Sequence, residues 1–182
     1  ISRSFTNTPI SSMRSKISLS AAALVSRRRH DGRMRHLRDE VYFDWRFRNP
    51  RNEYRYFFVG DDTLEGYLVV SHVKTIADGR PRVNIVDIEA EEPQIRSALL
   101  EAAIKMGQFS EFVIWTVTLD PGVRNDLARF AFQPIDRLLV RYGLPCVLVR
   151  PVDDTRLQQD WLINGVRLLD LDNWEMRMIF SM

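Results

Sequence analysis

The chain has 182 residues, of which 45% are hydrophobic and 27% are charged, as in an ordinary globular domain. No stretch approaches the roughly 18 consecutive apolar residues of a membrane-spanning helix, which argues against a spanning protein. The only cysteine, Cys146, allows no internal disulfide. Neither it nor the three histidines form a spaced ligand set, so we expect no metal site.

Charge is distributed unevenly along the chain. Residues 1–51 hold twelve Arg or Lys and four Asp or Glu, whereas the remainder holds fourteen against twenty. The first thirty residues contain eight serines and no acidic residue. This composition predicts a poorly ordered basic linker or tail over residues 1–38, or alternatively a transit peptide, before a folded domain at 39–182. Because the first residue is Ile rather than Met, we expect a processed chain or a piece of a longer protein.

The basic residues of the first segment cluster around Arg27-Arg28-Arg29 and continue through Arg33, Arg35 and Arg38. Such a cluster could bind the phosphates of a nucleic acid or of an anionic membrane. No nucleic-acid motif accompanies it, and no aromatic residue is interleaved before Tyr42. A solvated linker is therefore the favoured interpretation, and nucleic-acid binding ranks third among the functions considered.

The folded part begins with bulky side chains between Val41 and Phe47. Residues 54–59 and 64–73 are rich in aromatic and branched residues and flank the turn Gly60-Asp61-Asp62, which predicts a hairpin. Residues 82–90 predict a third strand.

Apolar residues then recur every three or four positions from Pro93 towards Gly107, which predicts an amphipathic helix. A strand at 111–119 follows, then a short helix at 123–130 and strands at 138–142 and 146–152. Residues 168–180 form a terminal segment of uncertain structure. Strand, helix and strand in this order predict a parallel crossover within a mixed α/β sheet.

Several segments in this order resemble the C-terminal half of tandem GNAT-superfamily acyltransferase-like proteins. They are Tyr42-Phe43-Asp44-Trp45-Arg46-Phe47-Arg48-Asn49-Pro50, Tyr54-Arg55-Tyr56, Gly66-Tyr67-Leu68-Val69-Val70, Val83-Asn84-Ile85-Val86-Asp87, Leu127 to Phe132, and Asp172-Asn173-Trp174. The resemblance implies a mostly antiparallel sheet, flanked by helices, whose adjacent parallel strands 82–90 and 111–119 splay apart. It also implies acetyl-CoA or another acyl-CoA as cofactor, bound in the splay, and an N-terminal GNAT-like half of the same protein as partner. We expect a cytoplasmic protein.

Two positions depart from the family pattern. Between strand and helix the chain reads Glu91-Glu92-Pro93, without the glycines that let backbone amides approach a pyrophosphate. A helix N-terminus attracts anions, but two carboxylates already occupy that field. In the following helix, Leu127 falls where many members carry a tyrosine acid, and Ala131 replaces a glycine. We therefore expect the isolated chain to bind acetyl-CoA weakly or not at all.

The candidate catalytic residues are Asp87, Glu89 and Tyr142. Asp87 and Glu89 lie two apart on a predicted strand, so they share a face opposite Val86 and Ile88. A carboxylate on a covered sheet face needs a partner or an altered pKa. It is either a general base or substrate ligand, or one half of a salt bridge to an arginine such as Arg82 or Arg46.

Trp45, Arg46 and Tyr54 are the candidate substrate-binding residues, because stacking and hydrogen bonding could hold a sugar or nucleotide. The alternative is that they pack this aromatic segment onto the sheet. Two functions follow for the whole chain. One is the C-terminal half of an acyl-CoA-dependent N-acyltransferase acting on a small-molecule acceptor, with the cofactor loop in an N-terminal half; the other is a non-catalytic binding or scaffolding domain.

Overall fold

The computed structural model describes residues 14–28, 31–48, 52–73, 82–107, 109–116, 118–134 and 161–176. The helices are α1 (Arg14–Arg27), α2 (Glu40–Arg46), α3 (Pro93–Lys105) and α4 (Pro121–Arg129). The strands are β1 (Met34–Arg35), β2 (Glu53–Val59), β3 (Gly66–Val73), β4 (Arg82–Ala90), β5 (Glu111–Ile114), β6 (Leu162–Ile163), β7 (Val166–Arg167) and β8 (Trp174–Glu175).

The central sheet has the order β2-β3-β4-β5. The β2/β3 and β3/β4 pairs are antiparallel, whereas β4 and β5 run parallel through the crossover helix α3. Pairing of the parallel strands runs from Arg82↔Glu111 to Ile85↔Ile114, while β4 continues to Ala90. The two strands therefore diverge beyond Ile85. This confirms the expected fold class, a mostly antiparallel mixed sheet with one splayed parallel pair.

A β-bulge interrupts β4 at the point of divergence. The register against β3 shifts by one residue, with Val86 as the extra residue on β4. Regular alternation placed Val86 on the face opposite to Asp87, and that prediction is wrong. Val86 packs instead with Tyr67 and Val69, on the side of the sheet where Tyr67 also bonds Asp87. The bulge thus turns both side chains towards α1 and α2.

Helices cover both faces of the sheet. The face beneath α3 and α4 holds the larger apolar cluster, which includes Leu68, Ile85, Leu99, Leu100 and Leu127. The opposite face, beneath α1 and α2, holds Leu24, Phe43, Phe47, Tyr54, Tyr67 and Val86. Charged groups in the C-terminal half of β4 are consequently enclosed between the sheet and the N-terminal helices.

The described part of the expected basic linker, residues 14–28 and 31–38, contributes to this second layer. Helix α1 packs on α2, and Leu24 is fully buried while Ala21 and Ser18 are nearly so. Small or apolar residues at positions 18, 21 and 24 form one helix face that the sheet can cover. The serine-rich composition concealed this face.

Differences from the other predictions occur towards the C-terminus. Strand β5 ends at Ile114 rather than residue 119, and the buried Thr118 and Leu119 lie in a turn before α4. Helix α4 begins at Pro121, where the Asp120 side chain accepts a hydrogen bond from the Gly122 amide at 2.7 Å. The predicted strands at 138–142 and 146–152 lie outside the described residues. In the terminal segment, β8 pairs in parallel with β1.

Candidate functional site

The candidate carboxylates Asp87 and Glu89 lie on β4 beside the divergence from β5. Both are buried, with exposed fractions of 1% and 3%. Asp87 also borders a small cleft between β4 and β5, lined by Ile85, Val86, Ile88, Ile114, Trp115 and Leu119. The cleft has a volume of about 10 Å³, enough for about one water molecule.

Arg38 binds both carboxylates. Its Nη1 lies 3.1 Å from Asp87 Oδ1 and its Nη2 lies 2.7 Å from Glu89 Oε2. The Tyr67 hydroxyl donates to Asp87 Oδ2 at 2.9 Å, and Arg28 forms a second ion pair with Glu89. Arg38 is itself 5% exposed. Buried charges need such partners, because removing them from water is costly.

The network continues to the C-terminal strand β8. Glu175 Oε1 lies 3.8 Å from Arg38 Nη2, and Glu175 Oε2 lies 2.8 Å from Arg35 Nε. The latter contact is an ion pair whose geometry is not that of a hydrogen bond. Arg33 lies 3.7 Å from the same carboxylate and 2.7 Å from Asp31. Arg28 and Glu175, from the two ends of the described chain, therefore both join the ion-pair network around the β4 carboxylates.

This pairing corrects the choice of partner for the β4 carboxylates. We expected Arg82 or Arg46, but Arg82 forms its ion pair with Glu111 on β5, and Arg46 donates to the Tyr54 hydroxyl at 3.3 Å. The arginine that both carboxylates share is Arg38, which lies 49 residues before Asp87. Its one signal in the sequence was an excess of basic over acidic residues in 1–51, opposite in sign to the acidic excess of the remainder.

The charges around Arg38 keep its guanidinium protonated. Burial lowers the pKa of Arg38, but the charges of Asp87, Tyr67 and Glu89 outweigh burial and raise it well above its ordinary value. Burial, reinforced by the charge of Asp87, raises the pKa of the neighbouring Tyr42 to about 12. Arg38 is therefore a permanent cation facing the β4 carboxylates.

The three candidate substrate-binding residues do not converge on one site. Trp45 points away from the domain with 67% of its surface exposed. Arg46 lies on the buried side of α2, opposite to Trp45, and Tyr54 is buried on β2 beside it. Tyr54 also accepts a hydrogen bond from Asn52 at 3.0 Å. This contact fits the alternative of packing onto the sheet. Tyr142, the third candidate catalytic residue, lies outside the described residues.

The β4–α3 junction is where acyl-CoA would bind according to the resemblance. Arg27 donates to Glu91 Oε1 from Nε at 3.0 Å and from Nη2 at 2.8 Å, and Nη2 also donates to the Leu64 carbonyl at 2.7 Å. Glu92 is the N-cap residue of α3 and makes no side-chain cap bond, and Pro93 has no amide hydrogen. Two exposed acidic residues thus lie directly before α3, whose first amides would receive a phosphate. The residues present do not fit a pyrophosphate.

The second departure from the family pattern lies at the end of α4. Leu127 is buried in the apolar cluster, and its aliphatic side chain has no proton to donate. Ala131 has a φ of 62°, a conformation that glycine adopts with little strain. This backbone conformation explains why a glycine is expected at position 131. Ala131 adopts the same conformation at a cost in backbone strain.

Two further observations concern the part of the chain that the structure describes. None of its helices is long and apolar enough to cross a membrane. It also contains no group of three or more His, Cys, Asp or Glu side chains that could hold a metal ion.

No protein-family model and no curated protein matches the chain. Solved structures similar to it include an aminoglycoside acetyltransferase from an uncultured soil metagenomic sample in complex with sisomicin, at 14% identity and a TM-score of 0.47, covering 83% of this chain and 95% of that one. A second aminoglycoside acetyltransferase from such a sample matches at 12% identity and a TM-score of 0.45, covering 84% and 100%. The ribosomal-protein-alanine N-acetyltransferase of Brucella melitensis biovar Abortus 2308 matches at 12% identity and a TM-score of 0.44, covering 62% of this chain and 79% of that one. In each case the similarity is one of fold at low sequence identity.

Proposed function

We propose that this chain is an acyltransferase-like domain that does not hold acyl-CoA itself and serves as one half of an acyl-CoA-dependent N-acyltransferase. The acyl donor binds to a second, N-terminal acyltransferase-like half of the same protein. The sequence resemblance and the splayed β4/β5 pair support the acyltransferase-like part of the proposal. The β4–α3 junction supports the absence of a donor site.

The β4–α3 junction is the observation on which the proposal depends, because its negative charge repels the phosphates of CoA. A CoA pyrophosphate needs bare amides or cations, and a helix N-terminus offers both a dipole and unpaired amides. Here Glu91 engages the nearest arginine of α1, and Glu92 precedes the helix directly. At 4 Å, two like unit charges repel by about 1 kcal/mol in water and by more near a protein surface.

The β4 carboxylates, Asp87 and Glu89, are the groups through which this half would contact the amine acceptor. An N-acyltransferase transfers its acyl group to an amine, and the amine must lose a proton to act as a nucleophile. Asp87 and Glu89 are acidic groups at the divergence of the sheet, where they are suited to bind a protonated amine or to accept its proton. We assign them to the acceptor rather than to the acyl donor.

Calorimetric titration of acetyl-CoA into this chain and into a longer protein with the upstream half tests the proposal. We expect no measurable heat of binding with the chain alone and micromolar binding with the longer protein. The Glu91→Gln/Glu92→Gln variant of the chain controls for charge repulsion, and we expect no measurable heat from it either, because removing the charges does not supply the glycines that let backbone amides approach a pyrophosphate. Low-micromolar binding to the unaltered chain would falsify the proposal.

A non-catalytic binding or scaffolding domain is the second candidate, and the ion pairs of Arg38 favour it. Both acceptor-side carboxylates are already neutralised within the chain. Turnover of the longer protein carrying Glu89→Gln distinguishes the candidates, with Glu111→Gln as the matched control on β5, where the carboxylate pairs with Arg82 at the surface. A scaffolding domain predicts equal turnover for the two variants.

A further inference from the structure

Residues 31–38, here called the arginine strap, cross the face of β4 with little regular structure. The strap's only strand, β1, pairs through two residues with β8. Leu37 is 77% exposed, and Met34 and His36 are only partly buried, so none of these three side chains is fully enclosed. What holds it is charge, through ion pairs of Arg33 and Arg35 with Glu175 and of Arg38 with the β4 carboxylates.

The Arg38 guanidinium lies where a cationic ligand of Asp87 and Glu89 would lie. It presents one nitrogen to each carboxylate, at 3.1 Å and 2.7 Å, and it is enclosed by the sheet. A protonated amine or a guanidinium compound would make the same two contacts. The strap and such a ligand are therefore mutually exclusive.

We propose that the arginine strap is an autoinhibitory contact: Arg38 fills the acceptor side of β4, and release of the strap opens Asp87 to a cationic amine. This proposal rests on the proposed function only in taking the acceptor to be an amine. Arg28 directly follows α1 and lies outside the strap, so its ion pair with Glu89 persists when the strap opens, whereas the Arg38 contact of Asp87 is lost. Tyr67 continues to donate to Asp87 and orients it.

The strap can open without unfolding the sheet because strand pairing and burial hold the sheet more firmly than they hold the strap. Strand β4 pairs with β3 along almost its whole length, from Arg82 to Ala90, and both contribute fully buried residues to the core. The strap has only a two-residue ladder, and its ion pairs are largely buried, so a competing cation displaces them more effectively than salt does. Segments with few buried apolar contacts open locally at lower free energy than the core. A ligand that binds only the open form shifts the population towards it.

Native-state hydrogen exchange of the full chain tests this opening, with agmatine as the probe because it carries both an amine and a guanidinium. We expect saturating agmatine to increase the exchange rate of the β1 amide that bonds to β8 at least fivefold, with β3 amides unchanged. Sodium chloride at equal ionic strength controls for screening and should increase that rate less. Unchanged β1 exchange, or equal effects of the two salts, would overturn the proposal.

Calorimetry of agmatine binding provides a second arm, with the Arg38→Ala variant and Arg48→Ala as its control. Arg48 pairs with Asp44 at the surface of the same region. We expect Arg38→Ala to bind agmatine at least tenfold more tightly than the unaltered chain, and Arg48→Ala to be indistinguishable from it. A folded Arg38→Ala variant without this gain contradicts the autoinhibitory role.

If Arg38→Ala does not fold, the Arg35→Ala variant tests whether the strap opens locally, because it removes a contact to Glu175 and leaves Arg38 in place. Its β1 amide that bonds to β8 should then exchange at least tenfold faster than that of the unaltered chain while β3 amides keep their rates. Exchange of β1 and β3 at one common rate would show that the strap opens only by global unfolding, and would overturn the proposal. Neither arm uses acyl-CoA, so the outcome is independent of the acetyl-CoA titration.

Discussion

Replacing Phe43 or Trp45 by alanine compares two aromatic residues of one short helix that face opposite ways. Phe43 is 5% exposed and packs edge-on against Tyr67 with a centroid distance of 5.6 Å, whereas Trp45 is 67% exposed. The composition of the segment alone would assign both to the core. The structure predicts that only one of them contributes to it.

The expected magnitudes follow from burial. Truncating a buried phenylalanine to alanine costs about 3 to 5 kcal/mol, through lost transfer free energy and the cavity left behind. A surface substitution stays within about 0.5 kcal/mol. With a urea m value of about 2 kcal/mol per molar, a loss of 3 kcal/mol lowers the unfolding midpoint by about 1.5 M, which is readily measured.

Urea titration followed by far-ultraviolet circular dichroism measures both variants, because Trp45→Ala removes a fluorophore and would complicate a fluorescence signal. We expect a clear midpoint shift for Phe43→Ala and none for Trp45→Ala. A midpoint shift of similar size in both variants would refute the assigned orientation of α2. An unshifted Trp45→Ala leaves Trp45 available for contact with a ligand or another domain.

Three more predictions concern stability. Leu24→Ala should cost about 2 to 5 kcal/mol in a denaturant melt because Leu24 is fully buried, whereas the exposed Leu19→Ala should cost little. Burial alone would raise the pKa of Asp31, but hydrogen bonds from Arg33 and Arg35 hold it below its ordinary value of 3.8. Its ionised form therefore stabilises the fold above that pH, and the stability advantage over Asp31→Asn should shrink as the pH falls below about 4. Ala131→Gly should raise the thermal midpoint, since it relieves about 1 kcal/mol of left-handed backbone strain.

Local patterns in the sequence determined much of the fold. The alternation and aromatic content of β2 and β3 and the turn between them predicted the hairpin, and β4 was predicted with its observed bounds. Helix α3 followed from spacing, with Pro93 at its start. These elements depend on neighbours a few residues apart, so a local pattern contains the information. The splay was expected only through the resemblance.

The bulge at Val86 and the burial of α1 were not predictable in this way. A bulge is set by how two distant strands register, and a strand pattern read alone assumes regular alternation. Helix α1 buries a narrow face of small residues, including Ser18 and Ala21, which its basic and serine-rich composition does not reveal.

The site itself was decided by tertiary structure. The sequence by itself determined that carboxylates at Asp87 and Glu89 fall on a covered strand and need partners. It could not determine which of many arginines supplies them, because Arg38 is 49 and 51 residues away and reaches them only once the strap crosses β4. Complementary charge attracts without regard to sequence distance, so only the folded arrangement selects the pair. The same folding placed Arg27 on Glu91 and brought Glu175 to the strap. Residues from the two ends of the described chain thus take part in one set of ion pairs beside β4.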